Sequence, residues 1–177
     1  VARGIALQGT KIVVGGKVEH GTATQSTRDV TVLRFLANGM PDTSFGTNGV
    51  KRIELGDGEL VDQYGLGTYA NGDLLVVATR KASAGDAGTP DGGDGGVPAV
   101  NEYAVLRLAE GTGAFVTTFG QEGSGIFSVG LATNISPRTP TILSDGSALI
   151  AGYTNSNGQK PVVVKITPAG TLDTSFA

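Results

Sequence analysis

Val32-Leu33-Arg34-Phe35, followed seven residues on by Asp42-Thr43-Ser44-Phe45-Gly46, decides the fold because the chain repeats it. It returns as Val105-Leu106-Arg107-Leu108 with Val116-Thr117-Thr118-Phe119-Gly120. It returns again as Val163-Val164-Lys165-Ile166 with Asp173-Thr174-Ser175-Phe176-Ala177. A unit recurring at this period cannot bury its apolar face alone and must pack on its neighbours.

Each unit reads as short β-branched runs joined by glycine turns. The first unit offers Lys11 to Gly15, Asp29 to Leu36 and Val50 to Leu55; the second offers Asp73 to Arg80, Asn101 to Leu108 and Ile126 to Leu131. The third offers Ser147 to Tyr153 and Pro161 to Ile166. Asn71-Gly72 and Asp145-Gly146 carry the positive-φ signature of tight hairpins, and Gln8-Gly9 holds the same place in the first unit. The segments ahead of them, Ile5 to Leu7, Gly65 to Ala70 and Thr141 to Leu143, are therefore hairpin partners, which makes about four strands per unit. No apolar spacing of 3.6 residues with a cap is present, so helices are not expected.

Four-stranded units repeated radially make a β-propeller. The expected fold is all-β, a propeller-like array of three four-stranded units: residues 1–60, 61–132 and 133–177, the last incomplete at its C-terminal end. From Phe45 to Phe119 is 74 residues, against 57 from Phe119 to Phe176. Most of the excess is an insert at 82–100, rich in Gly and Asp, which lacks side chains to pack a core and is expected to loop out between two strands. The chain opens on Val1 and stops where the earlier units continue into another strand. It is expected to be cut from something longer and to form part of a larger propeller, completed by self-association or by further blades of the same or another chain.

Composition narrows the function classes. Glycine supplies 29 of 177 residues, more than twice the usual share of about 7%. A net charge of −3 without a basic cluster argues against nucleic acid. No apolar run approaches the ~18 residues of a membrane helix. The absence of cysteine removes disulfides and thiolate metal sites.

No residue is assigned to a catalytic, cofactor-binding or metal site. The Asp-Thr-Ser-Phe turn reads as structural: an Asx-turn at Asp42 and Asp173, with Phe45, Phe119 and Phe176 as equivalent core positions between blades. Arg34 and Lys165 are expected to ion-pair with Asp42 and Asp173. Arg107 faces Val116 and needs another partner or solvent. Asp86, Asp91 and Asp94 could offer oxygens to Ca²⁺, but their spacing fits no calcium loop and a solvated loop is the plainer reading. Gly65-Leu66-Gly67-Thr68-Tyr69-Ala70 spells a dinucleotide fingerprint without the helix start that gives it meaning. Gly15-Gly16-Lys17 likewise lacks the rest of a phosphate loop. The single histidine, His20, lies in the polar stretch Glu19 to Ser26 and is expected in an exposed loop, with no nucleophile elbow to serve. Glu59 and Asp62 do not make a glycosidase dyad on sequence spacing alone.

Pro168-Ala169-Gly170-Thr171-Leu172-Asp173-Thr174-Ser175-Phe176 and Asn38-Gly39-Met40-Pro41-Asp42-Thr43-Ser44-Phe45-Gly46 resemble the bacterial delta-60 repeat family. The second unit departs from it at Val116. The resemblance implies a propeller-like fold in a secreted, periplasmic or cell-surface bacterial protein, and it carries no catalytic residues. The leading expectation is a non-enzymatic scaffold or protein- or glycan-binding module, without cofactors and without membrane insertion. The alternatives are a carbohydrate-active lyase or hydrolase with carboxylates at the propeller channel, and a calcium-stabilised adhesin.

Overall fold

The computed structural model describes residues 1–22, 25–55, 62–81, 101–120, 126–129, 135–154 and 159–176. Among them every regular element is a strand. These are β1 (Ala2–Gln8), β2 (Lys11–Thr22), β3 (Gln25–Phe35), β4 (Val50–Ile53), β5 (Asp62–Thr68) and β6 (Leu74–Lys81). They continue with β7 (Asn101–Leu108), β8 (Ile126–Val129), β9 (Ile135–Pro137), β10 (Thr141–Ile142), β11 (Ala148–Thr154) and β12 (Lys160–Ile166). Three antiparallel sheets follow one another: β1-β2-β3-β4, β5-β6-β7-β8, and a third in which β11 lies between β12 and the two pieces β9 and β10. The chain is all-β, a propeller-like array of three units.

Alternation in the strands shows how the sheets stack. In β6, Leu74, Leu75, Val76 and Val77 are all fully buried. Leu74 and Val76 join Val13, Val32 and Phe45 in a core between the first and second sheets, while Leu75 and Val77 join Ile150, Val164 and Ile166 between the second and third. A strand covered on both faces reads as an unbroken apolar run. The flanking sheets bury one face each: in β2 Val13 is buried while Ile12 and Val14 are half-buried, and in β11 Ala148 and Ile150 are buried while Ala151 is exposed.

The first strands of the first two sheets lie side by side. Thr68 donates its hydroxyl to the carbonyl of Leu7 at 2.8 Å, joining β5 to β1. On the other side of β5, a Cβ at Gly65 would stand 2.5 Å from the Cα of Thr139 and one at Gly67 3.0 Å from Ile142. The apparent dinucleotide fingerprint is thus an inner strand whose glycines admit the next blade's backbone.

Several expectations are corrected. His20 is not in a loop between strands: β2 and β3 run on as a two-stranded ribbon in which His20 pairs with Thr27 and Thr22 with Gln25. The ladder pairs the backbone groups that face each other across the ribbon, and cross-strand charges such as Arg28 Nε and Glu19, 2.6 Å apart, suit its polar sequence. The Asn71-Gly72 and Asp145-Gly146 turns close tight hairpins, as expected, but positive φ is not shared by both residues. Gly72 (87°) and Gly146 (83°) alone take it, closing three-residue loops with Tyr69 opposite Asp73 and Leu143 opposite Ser147. The third sheet's inner strand, expected at Thr141 to Leu143, comes in two pieces around residues 138–140. The insert at 82–100, with Asp86, Asp91 and Asp94, lies outside the described residues, as does Glu59.

Candidate functional site

The chemistry-bearing side chains that repeat are those of Arg34, Arg107 and Lys165, each at the same place in the third strand of its sheet. Arg34 is wholly buried. Its Nε stands 2.9 Å from Asp42, which also takes Lys11 at 3.0 Å. Nη1 donates to Gln8 Oε1 at 2.9 Å and to the carbonyl of Glu110; Nη2 donates to Ser44 Oγ at 3.1 Å and to the carbonyl of Gly111 at 3.0 Å. The guanidinium lies 4.5 Å from the centre of the Phe45 ring. Because Glu110 and Gly111 belong to the second blade, this fork ties the first two blades together. Gln8 adds a second tie, donating to the carbonyl of Gly72 at 2.5 Å.

Lys165 pairs with Asp173 at 3.1 Å, as expected. Arg107 finds Asp73, at 3.0 Å from Nε and 2.9 Å from Nη2, and stacks 4.0 Å from the Tyr69 ring. The three Phe-closed turns also match, two of them with a carboxylate. Ser44 and Ser175 donate backbone N–H and hydroxyl to Asp42 and Asp173. The amides of Phe45, Phe119 and Phe176 close onto the carbonyls of Asp42, Val116 and Asp173. The serine hydroxyls, followed by Lys11 and Lys165, hold the Asp42 and Asp173 carboxyls below the usual carboxylate range. Burial pushes the Tyr69 phenol up to about 12, against the opposing pull of Arg107.

Phe45 and Phe119 are fully buried, each seated on a glycine of the next blade: a Cβ at Gly113 would lie 2.6 Å from the Phe45 ring, and one at Gly170 2.8 Å from the Phe119 ring. Beside each ring the following amide crosses the junction, Gly46 to the carbonyl of Thr112 at 2.8 Å and Gly120 to that of Ala169 at 2.9 Å. Phe176 repeats the turn but is 39% exposed. The expectation of three equivalent core positions therefore holds for two of them, since burial comes from the following blade rather than from the turn.

What the repeat does not consume is a cleft of about 560 Å³ at the boundary of the first two blades, lined by Thr47, Val50, Lys51, Arg52, Thr112 and Ala114. Lys51 Nζ lies 5.0 Å from the centre of the Phe115 ring and the Arg52 Nε lies 3.2 Å from Asp29. Two hydroxyls and the Lys51 ammonium suit a polyhydroxylated or anionic group, while Arg52 is already paired with Asp29. Sequence reasoning missed this cleft, and nothing local marks it, because its walls come from residues some sixty apart in the chain.

Of the other sequence candidates, Gly15-Gly16-Lys17 lies within β2 and Asp62 at the start of β5, with Leu66 of the same strand buried in the first core. Among the described residues no group of three or more His, Asp or Glu could hold a metal ion, and no helix is long and apolar enough to cross a membrane.

Two stretches of the chain match a known repeat. Residues 11–45 and 143–176 are similar to the DUF5122 β-propeller, a domain of unknown function. Each stretch runs from the second strand of a sheet, or the turn before it, to the Phe of the Asp-Thr-Ser-Phe turn. The middle unit, which the match leaves out, is the one with Val116 in place of Asp and with the insert between β6 and β7. No curated protein matches the chain.

Proposed function

We propose that this chain is a non-enzymatic scaffold and binding module, a propeller segment of the delta-60 kind in an exported or cell-surface bacterial protein, taking a glycan or protein ligand. The observation that carries this reading is how the polar residues are spent. The repeated cations, carboxylates and Asx-turns bond to one another and to the neighbouring blade, as Arg34 does with Asp42, Glu110 and Gly111. That is the work of a rigid frame. The cleft at Lys51 offers hydroxyls and positive charge, which suits binding rather than proton transfer between an acid and a base.

The test pairs binding with turnover. Arrays of neutral and acidic glycans and of peptides are probed with the chain and with Lys51→Glu, and each glycan that binds is incubated with excess protein and examined for shortened or unsaturated products. Binding reduced at least about tenfold by Lys51→Glu, without product release, supports the reading. Turnover of any bound glycan would move the chain to the carbohydrate-active class.

A further inference from the structure

Residues that the repeat requires recur at both blade junctions, so a residue that breaks the series is free to serve something else. Two such residues meet where the first blade joins the second. Lys51 in β4 pairs with Val32, and the same register position in the second sheet, opposite Val105, holds Phe127. Thr112 precedes the positive-φ glycine on which Phe45 sits, and Ala169 takes that place before the glycine under Phe119. Both junctions still make the same bond, Gly46 to the carbonyl of Thr112 at 2.8 Å and Gly120 to that of Ala169 at 2.9 Å. The frame therefore needs neither the ammonium of Lys51 nor the hydroxyl of Thr112.

Both residues line the cleft of about 560 Å³, together with Thr47. What this cleft has left to offer is mostly donors. The carbonyls of Val50 and Thr112 already accept the amides of Thr47 and Gly46. The Thr112 hydroxyl oxygen accepts the Ala114 amide at 3.2 Å, which leaves its O–H to donate. Lys51 is half-buried with its ammonium 5.0 Å from the centre of the Phe115 ring, and among the described residues it has no carboxylate partner, whereas Arg52 is held by Asp29. No acidic residue lines the cleft. An uncompensated cation flanked by donor hydroxyls is complementary to a group rich in acceptors and negative charge.

We infer that the cleft takes an acidic sugar, its charged substituent on Lys51 and its hydroxyls on Thr47 and Thr112. The assignment rests on the binding reading of the same cleft and goes beyond it by naming the class of ligand. A peptide is the poorer fit, because peptide partners are fixed by large apolar anchors in desolvated pockets, and the apolar lining here is only Val50 and Ala114.

The experiment is calorimetric titration of the 177-residue chain with two matched pairs of oligosaccharides: an oligogalacturonate with its methyl ester, and a sulfated oligogalactan with its unsulfated parent. At least one charged member should bind about tenfold or more tightly than its neutral counterpart, and the two pairs separate a carboxylate from a sulfate. Lys51→Gln should bring the charged ligand down to the neutral level, and Lys51→Arg should keep most of the preference. Lys160→Gln, which removes an exposed cation elsewhere, should change nothing. Thr47→Ala, at an exposed position, should weaken the charged ligand by about threefold, and with the matched pairs it decides the matter if Lys51→Gln does not fold. Neutral members bound as tightly as charged ones, with both lost in Lys51→Gln, would overturn the acidic assignment and leave the binding module standing. Charged binding that is indifferent to Lys51→Gln, or as sensitive to Lys160→Gln, would overturn it as unspecific attraction. Silence from all four oligosaccharides would overturn it too, and the module reading falls with it only if the wider glycan and peptide arrays are also empty.

Discussion

Arg107 takes its carboxylate from Asp73, at the start of the second strand of its sheet, whereas Arg34 and Lys165 take theirs from Asp42 and Asp173, after the third. The two positions converge on one cation, and each blade supplies acid at one of them only. Lys11, Asp73 and Ser147 occupy the first position; Asp42, Val116 and Asp173 occupy the second. What the three blades share is a carboxylate on the third-strand cation, whichever strand brings it.

That shared pairing predicts a rescue. Asp73→Ser removes the carboxylate that pairs with Arg107 among the described residues and also the acceptor of the Glu110 amide. Losing hydrogen bonds to a charged group costs about 1.5–3 kcal/mol. Adding Val116→Asp rebuilds the third blade's arrangement in the second and should recover most of the loss. Urea unfolding of the single and double variants measures both steps, and a double variant no more stable than Asp73→Ser would refute the convergence.

Phe45→Ala and Phe119→Ala should each cost about 3–5 kcal/mol, the usual range for emptying a fully buried Phe site. Phe176→Ala should cost much less, because the ring is 39% exposed. Equilibrium unfolding of the three variants ranks them. Equal costs would mean that the turn itself, not the following blade, supplies the burial energy.

The repeat made the architecture legible. The strand ending at Leu108 is legible because Ala104, Val105, Leu106 and Leu108 alternate between two cores. The ribbon at the ends of β2 and β3 was not legible, since with no core to cover it carries no apolar period. The letters of Asn71-Gly72 cannot separate a two-residue turn from a three-residue one with a bulge, because both place Gly at positive φ. Asp73 and Gln8 read as ordinary turn-flanking residues. Their roles exist only across strands or blades, as does the cleft formed by Lys51 and Thr112.

Acid should unfold the chain through its carboxylate turns. The folded pKa of Asp42 lies below the unfolded value of about 3.9, so the stabilisation it gives is whole above that value and is lost as pH falls beneath it toward the folded pKa. Asp42→Asn should lower the melting temperature at pH 7 and flatten its decline below about pH 4, so that the two curves converge in acid. At the alkaline end the sign reverses. Tyr69, pushed up to about 12, remains neutral in the fold while the unfolded phenol ionises near 10, so stability falls above that pH and Tyr69→Phe removes the fall. Melting curves from pH 2 to 11 test both arms; parallel curves for variant and unaltered chain would remove these groups from the account.

The Gly- and Asp-rich insert should be dispensable to the fold. It leaves from Lys81 and returns at Asn101, and those two residues are direct partners in the antiparallel ladder of β6 and β7. The strand ends are therefore already side by side, as at any short hairpin, and a loop of a few residues spans them. Shortening a closed loop changes its entropy only with the logarithm of length, while residues 84–96 contain almost no apolar surface to lose. Replacing 84–96 with a short Gly-Ser link should leave the melting temperature within a few degrees. Repeating the melts with Ca²⁺ and with a chelator separates the two readings of Asp86, Asp91 and Asp94: a solvated loop predicts no shift in either chain. A calcium-dependent rise in the unaltered chain, absent after replacement, would instead establish a metal loop that supports the blades.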